Sequence, residues 1–440
     1  MKYPVIKPQV EVVRTTQGGI LFDRSNGMHL LVTATEALIL ALCDGTHTEE
    51  SIVDYVARTY AIPRERCAQD VPRYLSSATG QAIINVERPV RVDHGMPPPE
   101  AFADLKAGGV LVPEKIMTLG LSPTYDCSLR CAYCFANSGD PRITRKSLNI
   151  ETVKRLLREA ADLGAKRVDI GGGDPINYKP LPEIVRESLD LGFREVSIST
   201  KGVALTKETV RLLRLAGLDK IQLSIDTVNP DIYDDVVGRK GMYERMIRGW
   251  YNLRQEGFAI QNRATVTTRT IRGVPDMLAF TYAMGISNVR VVGVQHFGRG
   301  DNDMMPRLED MASLRKQVDR MGSEYPNAKW FVGDARFGDP YPCEGDISRI
   351  WIHPDGRVSL CDVAGAYLDE FPVFDFGNVY TEPLREIWTK KIPPLFRMVR
   401  DPRCGSCPIS MSCRSGCPLS AVTHYGDVMK AVPNCDLLKG

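Results

Sequence analysis

Between residues 117 and 294 the chain repeats one pattern, a short apolar run followed by an amphipathic segment that ends near a glycine. The runs are "MTLGLSP", "RVDIGG", "EVSIST", "KIQLSID", "QNRATVT" and "NVRVVGV". Between them lie helix-like segments such as "IETVKRLLREAADLG", "LPEIVRESLDLG" and "TKETVRLLRLAG". Neighbouring parallel strands need long crossovers, and helices supply them, so this alternation predicts a parallel α/β barrel or partial barrel.

The flanks read differently. Residues 1–95 predict a small separate unit. "VEVVRT" and "GILFDR" form short strands around a "QGG" turn. "TATEALILALCDG" is a helix capped by Thr33 or Thr35 and stopped by Gly45, and "HTEESIVDYVARTYAI" is a second helix with Ile52, Val53, Val56 and Ala57 on one face. A third helix and an apolar strand complete the unit. The Pro- and charge-rich stretch that follows places a linker at 96–116, the barrel at 117–303 and a cysteine-rich extension at 304–440.

Composition narrows the function. The formal net charge of +2 points to no polyelectrolyte partner. No apolar run is long enough for a membrane span, and the N-terminus has no signal core, so a cytoplasmic protein is expected. In a reducing compartment, 12 cysteines suggest metal or redox chemistry rather than disulfides. They are also segregated: three fall at 127–134 and seven between Cys343 and Cys435. Cys43 and Cys67 lie outside both sets and read as small buried hydrophobes.

Cys127, Cys131 and Cys134 follow directly on the first barrel strand, where such folds build active sites. Thiolates suit zinc and iron–sulfur clusters, but a structural zinc site wants four ligands. Three thiolates in a tight loop can hold three irons of a 4Fe–4S cluster and leave the fourth open. A buried structural cluster, or zinc with a remote fourth ligand, is the alternative.

The C-x3-C-x2-C spacing, with Tyr133 before the third cysteine, resembles the signature of the radical S-adenosylmethionine (SAM) superfamily. The resemblance implies a partial (β/α)6 barrel whose cluster chelates SAM on its open iron. One electron then cleaves SAM to methionine and a 5′-deoxyadenosyl radical that takes a hydrogen atom from the substrate. Further segments are similar to the family's SAM contacts. "GGGDP" offers Gly172, Gly173 and Asp174, with Asp where the family usually has Glu. "STKG" offers Ser199, in a segment that is often Thr-Asn-Gly in relatives, and "QLSID" offers Ser224 and Asp226. Arg245 falls where relatives pair an arginine with the serine at 224 to hold the SAM carboxylate.

Cys343, Cys361, Cys404, Cys407, Cys413, Cys417 and Cys435 resemble, cysteine for cysteine, the SPASM extension of radical SAM enzymes. The resemblance implies two auxiliary iron–sulfur clusters, making three in all. Cys404, Cys407, Cys413 and Cys435 would hold one; Cys343, Cys361 and Cys417 would hold the other. Seven thiolates are one short of two fully ligated 4Fe–4S clusters. Some relatives have a further cysteine where this chain has Arg349, so the nearer cluster has an open iron, a non-cysteine ligand such as Asp346, or a smaller core. A zinc reading stays open here too.

The N-terminal unit resembles the precursor-peptide recognition domain of ribosomal peptide maturation, a small winged-helix fold, on the segment "EALILALCDGTHTEESIVDYV". That fold captures a leader peptide as an added strand. A DNA-binding winged helix is the competing reading, but residues 1–95 hold 10 Lys/Arg against 11 Asp/Glu, without the basic excess DNA requires. The resemblances together imply a radical SAM enzyme that modifies a precursor peptide, supplied with electrons by a donor such as flavodoxin or ferredoxin. Thioether formation is the expected chemistry, with a peptide thiolate on the open auxiliary iron. Carbon–carbon crosslinking, decarboxylation, epimerisation and a tetrapyrrole or cofactor substrate are the alternatives. A non-catalytic iron–sulfur protein that binds peptide or DNA is the alternative of a different class.

Overall fold

The computed structural model describes residues 2–23, 28–77, 83–90, 98–103, 113–140, 147–334, 348–407, 410–433, 435 and 438. Cys343 and Asp346 lie outside the described residues. The chain divides into two units.

In the first unit, strands β2 (Val10–Thr15), β3 (Gly18–Asp23) and β4 (Met28–Thr33) form an antiparallel sheet in that order, and β1 (Tyr3–Ile6) pairs antiparallel with β5 (Ile83–Val86). The helices are α1 (Ala34–Leu42), α2 (Glu49–Tyr60), α3 (Arg64–Leu75) and the short α4 (Glu100–Ala103). Thr33 starts α1 with a reciprocal cap: its hydroxyl accepts from Glu36 N, and the Glu36 carboxylate accepts from Thr33 N. Thr48 caps α2. These caps orient apolar faces onto one core, in which Val10, Val12 and Leu21 pack with Leu38, Leu42, Ile52, Val56 and Val71. Each such side chain contributes about 1.5–3 kcal/mol on burial. Cys43 and Cys67 are buried in this same core, as the sequence predicts. Strands β1 and β4 are additions to the two strands expected around the "QGG" turn. Residues 394–416 belong to this unit as well, and their helix Ser410–Cys413 lies against β4.

In the second unit each of the six apolar runs is a strand: β6 (Thr118–Leu121), β7 (Arg167–Ile170), β8 (Glu195–Thr200), β9 (Lys220–Leu223), β10 (Ala259–Val266) and β11 (Asn288–Gly293). The helices between and after them are α5 (Ile150–Asp162), α6 (Leu181–Asp190), α7 (Lys207–Leu215), α8 (Pro230–Val236), α9 (Met242–Gln255), α10 (Val274–Ala283) and α11 (Leu308–Met321). Three further strands extend the sheet: β12 (Lys329–Gly333) at one edge, and β13 (Arg349–Ile352) with β14 (Val358–Ser359) at the other. The order is β12-β11-β10-β9-β8-β7-β6-β13-β14, parallel throughout except that β14 runs antiparallel to β13. β13 thus joins a strand of the cysteine-rich extension to the first strand of the barrel.

Strand alternation divides the sheet's two faces. Val168, Ile170, Val196, Ile198, Ile221, Leu223, Ala264, Val289 and Val291 are buried. The opposite face carries Asp169, Ser197, Ser199, Gln222, Arg263, Thr265 and Arg290, which keep solvent contact. Arg263 on β10 is close enough to Arg349 on β13 and to Asp362 for their charges to interact, so this second face curls around an interior. That interior is a polar lumen, unlike the layered apolar core of a closed barrel.

Candidate active site

The loop after β6 carries Cys127, Cys131 and Cys134, and its backbone is held from several sides. Arg130 N and Ala132 N donate to the carbonyls of Val237 and Val236 at the end of α8, at 3.1 and 2.8 Å. Asp174 N donates to Asp126 O at 3.0 Å. Arg299, after β11, donates from its backbone N to Cys134 O (3.1 Å), from Nε to Cys131 O (2.9 Å) and from Nη2 to Ser138 O (2.9 Å). Close approach is bought with glycine. A methyl on Gly173 would overlap the backbone of Tyr125 and Asp126, and one on Gly298 would overlap the carbonyls of Cys134 and Phe135. Gly298 also has φ of +59°, a conformation costly for other residues.

The three thiols are near enough to feel one another. Burial pushes Cys127 up to about 12, with Asp174, Cys131 and Cys134 adding to it, while Leu129 N–H works the other way. Burial pushes Cys131 up to about 12 as well, opposed by the positive charges of Lys201 and Arg299. Among the described residues no three His, Cys, Asp or Glu side chains are arranged to hold a single metal ion. The surroundings suit an anionic cluster spread between the thiols. Two cations lie beside Cys131, and Arg299 Nη1 is buried with no hydrogen-bond partner among the described residues.

Around this loop the ends of the next strands converge. Lys201 Nζ donates to Asp226 Oδ2 (2.5 Å), Tyr133 Oη (2.6 Å) and Ser224 O (3.1 Å). Tyr133 also donates to Asp226, whose other oxygen accepts from Thr265 N at 2.9 Å. Asp174 is buried, and burial pushes its carboxyl up to about 6 against the pull of its hydrogen bonds. Those bonds come from the Thr200 hydroxyl (2.8 and 2.9 Å) and from Ile176 N at the head of the following turn (3.2 Å). The shorter acid is therefore already engaged inside the protein. Gly172 and Gly173 lie in the same strand-end turn, and Gly172 has φ of +105°.

Of the residues expected at the SAM site, the structure brings together Tyr133, Asp226, Asp174 and the Ser224 backbone. Ser199 accepts from Gln222 Nε2 at 2.7 Å on the luminal face. Arg245 is exposed on α9. Lys201, Thr200 and Arg299 were not singled out by the sequence pattern, yet they make most of the polar contacts here.

Asp362 is a further residue of this kind. It follows Cys361, lies half-buried against Gly171, and accepts from Ser122 Oγ at 2.6 Å and from Gly172 N. Trp351 Nε1 donates to the same Ser122 hydroxyl at 2.8 Å. Gly120 makes room for that indole, since a methyl there would overlap the ring. Burial pushes Asp362 up to about 6.

The cysteines of the extension fall in both units. Cys361 and Cys417 lie in the second unit and interact electrostatically; burial chiefly, then Cys417, pushes Cys361 up to about 12. Each accepts a backbone N–H at 3.4 Å, Cys361 from Ala364 and Cys417 from Ser420. Cys435 lies in the second unit, while Cys404, Cys407 and Cys413 lie in the first. Cys407 N donates to Cys404 O at 3.0 Å, and Ser415 Oγ closes the loop by accepting from Arg400 N and Asp401 N. Backbone donors on thiols and buried arginines at 397, 400 and 414 are chemistry that suits anionic iron–sulfur clusters.

A parallel partial barrel with three clamped cysteines after its first strand defines a radical SAM protein. Family models agree: the radical SAM superfamily matches residues 121–280, the iron–sulfur cluster-binding SPASM domain 343–417, and coenzyme PQQ synthesis protein D (PqqD) 19–84. The chain is a radical SAM enzyme with a SPASM extension and a PqqD-type N-terminal domain, and it binds SAM and iron–sulfur clusters through the first two.

Two curated relatives are similarly distant. The PqqA peptide cyclase of Gluconobacter oxydans is 28% identical over 74% of this chain and 92% of its own length. The AdoMet-dependent heme synthase of Methanosarcina barkeri is 27% identical over 71% and 94%. Among solved structures, Streptococcus suis SuiB bound to precursor peptide SuiA covers 97% of this chain and 98% of its own, with TM-score 0.65 and 19% identity. The structure of anSMEcpe with bound AdoMet covers 74% and 91%, with TM-score 0.58 and 16% identity. No helix among the described residues is long and apolar enough to cross a membrane.

Proposed function

We propose that this enzyme modifies a ribosomally made precursor peptide in the cytoplasm, and that its favoured product is a thioether between a peptide cysteine and a carbon of another residue. The observation that carries the peptide reading is the PqqD-type domain on the same chain as the barrel. The relatives alone do not decide, because one printed as a peptide cyclase and one as a heme synthase lie within a percentage point of each other. A small domain with a three-stranded sheet suits capture of an extended leader. A tetrapyrrole substrate is the second reading, favoured by the heme synthase relative.

Reduced and loaded with SAM, the first cluster supplies a 5′-deoxyadenosyl radical for hydrogen-atom abstraction. In this reading Cys127, Cys131 and Cys134 hold that cluster, with Arg299 fixing their loop. Tyr133, Lys201 and Asp226 shape the floor beside it, Gly172 and Gly173 let the protein backbone approach SAM closely, and Ser199, Ser224 and Arg245 complete the expected contacts. Asp174 braces the glycine turn through Thr200. Cys343, Cys361 and Cys417 hold one auxiliary cluster, and Cys404, Cys407, Cys413 and Cys435 the other, for three clusters in all. Flavodoxin or ferredoxin supplies the electrons. The domain limits 1–95, 96–116, 117–303 and 304–440 are proposed on the same footing.

The test is mass spectrometry of the precursor peptide after turnover. A thioether product has lost two hydrogens, resists alkylation at one cysteine, and does not form when that cysteine is changed to serine. A product whose cysteines all alkylate would refute the thioether, and no mass change in any peptide would refute the peptide reading.

A further inference from the structure

Helices α7 and α9 pack side by side, and their outer face carries unbalanced charge. α7 buries Val210 and Leu213 and turns Arg211, Leu212 and Leu215 outwards. α9 buries Met242, Met246, Gly249 and Leu253 and turns Arg248 and Tyr251 outwards. The helical repeat places these exposed positions on one stripe of each helix. Residues 207–215 and 237–255 together hold eight Lys/Arg against two Asp/Glu. Arg211, Arg239 and Arg248 are exposed and make no ion pair with a described residue. Lys240 acts on Asp234, whose carboxylate is already held by the N–H groups of Met242 and Tyr243 at 2.9 Å. The same face is also apolar: Leu215 is 65% exposed, Tyr251 50% and Leu212 47%.

One end of this face is the back of the cysteine loop. Arg130 N donates to Val237 O at 3.1 Å, and a methyl on Gly238 would overlap Arg130 O. Arg239 Nη1 donates to Ser128 O at 3.2 Å. The turn that opens α9 is therefore built onto the loop that carries Cys127 and Cys131. Ser128 is exposed and is bonded directly to Cys127, so a single peptide link leads from solvent to the first thiol.

Exposed apolar side chains set among charges are the anatomy of a protein interface. A second copy of this chain would bring the same positive charge to a two-fold contact, which disfavours self-association here. A peptide to be modified has to enter the lumen, on the other side of the sheet. We propose that the α7–α9 face docks a small acidic protein that carries one electron, and that the electron enters through the Ser128–Cys127 edge. The carrier is oxidised by one electron and the cluster on Cys127, Cys131 and Cys134 is reduced by one; no covalent bond forms or breaks. Complementary charge steers the encounter, and Leu215 and Tyr251 seat it. The proposal rests on the reading that an external carrier supplies the electrons.

Binding is measured without turnover, by calorimetric titration of the reconstituted enzyme with oxidised flavodoxin and, separately, with oxidised plant-type ferredoxin, both acidic proteins. At least one is expected to bind, and more weakly at high salt. In R211E/R248E its Kd is expected to rise about tenfold or more, because like charges then meet across the interface. L215S is expected to raise the Kd as well while keeping the wild-type melting temperature. R211Q/R248Q removes the charge without reversing it, so a poorly folding reversal leaves the question answerable. SAM cleavage is then compared with two reductants. Driven by the carrier, it is expected to slow in R211E/R248E; driven by dithionite, which needs no docking, it is expected to match wild type. Equal Kd and equal carrier-driven cleavage in wild type and variants overturn this face while keeping an external carrier. Dithionite-driven cleavage in a wild type that binds neither carrier removes the carrier reading and the face with it. Precursor-peptide affinity lost in R211E/R248E with carrier affinity unchanged, or a wild-type dimer dissolved by L215S, gives the face another occupant and overturns the proposal.

Discussion

Lys201 Nζ lies 2.5 Å from Asp226 Oδ2, joining the end of β8 to the end of β9 directly beside the cysteine loop. Both side chains are largely out of solvent, at 13% and 1% exposure. The ammonium also contacts Tyr133 Oη and sits 5.3 Å from the centre of its ring. Its charge acts on Cys131. One side chain thus ties two strands to the loop between Cys131 and Cys134.

Replacing Lys201 by Met should therefore do two things. It leaves Asp226 as a buried carboxylate without its cation, a change of about 3–5 kcal/mol in stability. It also removes a positive charge beside a cluster thiolate, which disfavours the more anionic, reduced form. The midpoint potential of the SAM-binding cluster, read by redox titration with electron paramagnetic resonance, should move to more negative values. An unchanged potential in folded K201M would show that this charge does not reach the cluster.

The glycine packed against the cysteine loop gives a second expectation. In G298A the new methyl meets the carbonyls of Cys134 and Phe135, and φ of +59° is retained only at a cost of about 1 kcal/mol. The loop must shift. Iron bound after reconstitution should fall by about one cluster's complement, roughly four irons, while far-ultraviolet circular dichroism stays near wild type. Full iron content in G298A would mean the loop does not need this close contact.

His353 makes stability depend on pH. Its Nε2 lies 2.7 Å from Ser359 Oγ, whose hydroxyl donates to Cys361 O, so Nε2 carries the proton and Nδ1 accepts from Tyr125 Oη at 2.8 Å. Burial pushes this histidine down to about 3. In the unfolded chain it titrates near 6.5. Between those values the unfolded state binds the extra proton, so stability rises with pH and is lost as pH falls below about 6.5. From pH 7 to pH 5 the loss attributable to His353 is about 2 kcal/mol. Urea-unfolding midpoints at the two pH values should differ less in H353Q than in wild type; an equal difference would assign the acid sensitivity elsewhere.

Removing residues 1–95 should lower iron content as well as peptide binding. The helix Ser410–Cys413 lies against β4, and the loop with Cys404, Cys407 and Cys413 belongs to the same unit. Deletion takes away that support. Iron analysis of the truncated protein checks this, and wild-type iron content would show that the loop stands without β4.

Much of this was legible in the sequence because it rests on local signals. Strand–helix alternation marked all six central strands, Thr33 and Thr48 marked helix starts, and cysteine spacing marked the loop. What escaped depends on contacts distant in sequence. Ser122 and Asp362 are 240 residues apart, and nothing near "LCDVA" announces that its aspartate faces the glycine turn. Lys201 looked like a departure from a Thr-Asn-Gly pattern until Asp226 and Tyr133 were seen around it. β13 reads as part of an irregular cysteine-rich segment, and only its pairing with β6 makes it a barrel strand. Arg245 is exposed on α9, and its pairing with Ser224 is proposed on spacing alone.

The most direct measurement of the central claim is 5′-deoxyadenosine formation by the reduced, reconstituted enzyme, with and without precursor peptide. SAM cleavage is expected in wild type, faster when peptide is present and coupled to a change in peptide mass. None is expected when Cys127, Cys131 and Cys134 are all replaced by alanine, even though iron remains in the extension. Undiminished cleavage in that triple variant, or wild-type cleavage that never alters a peptide, would contradict it.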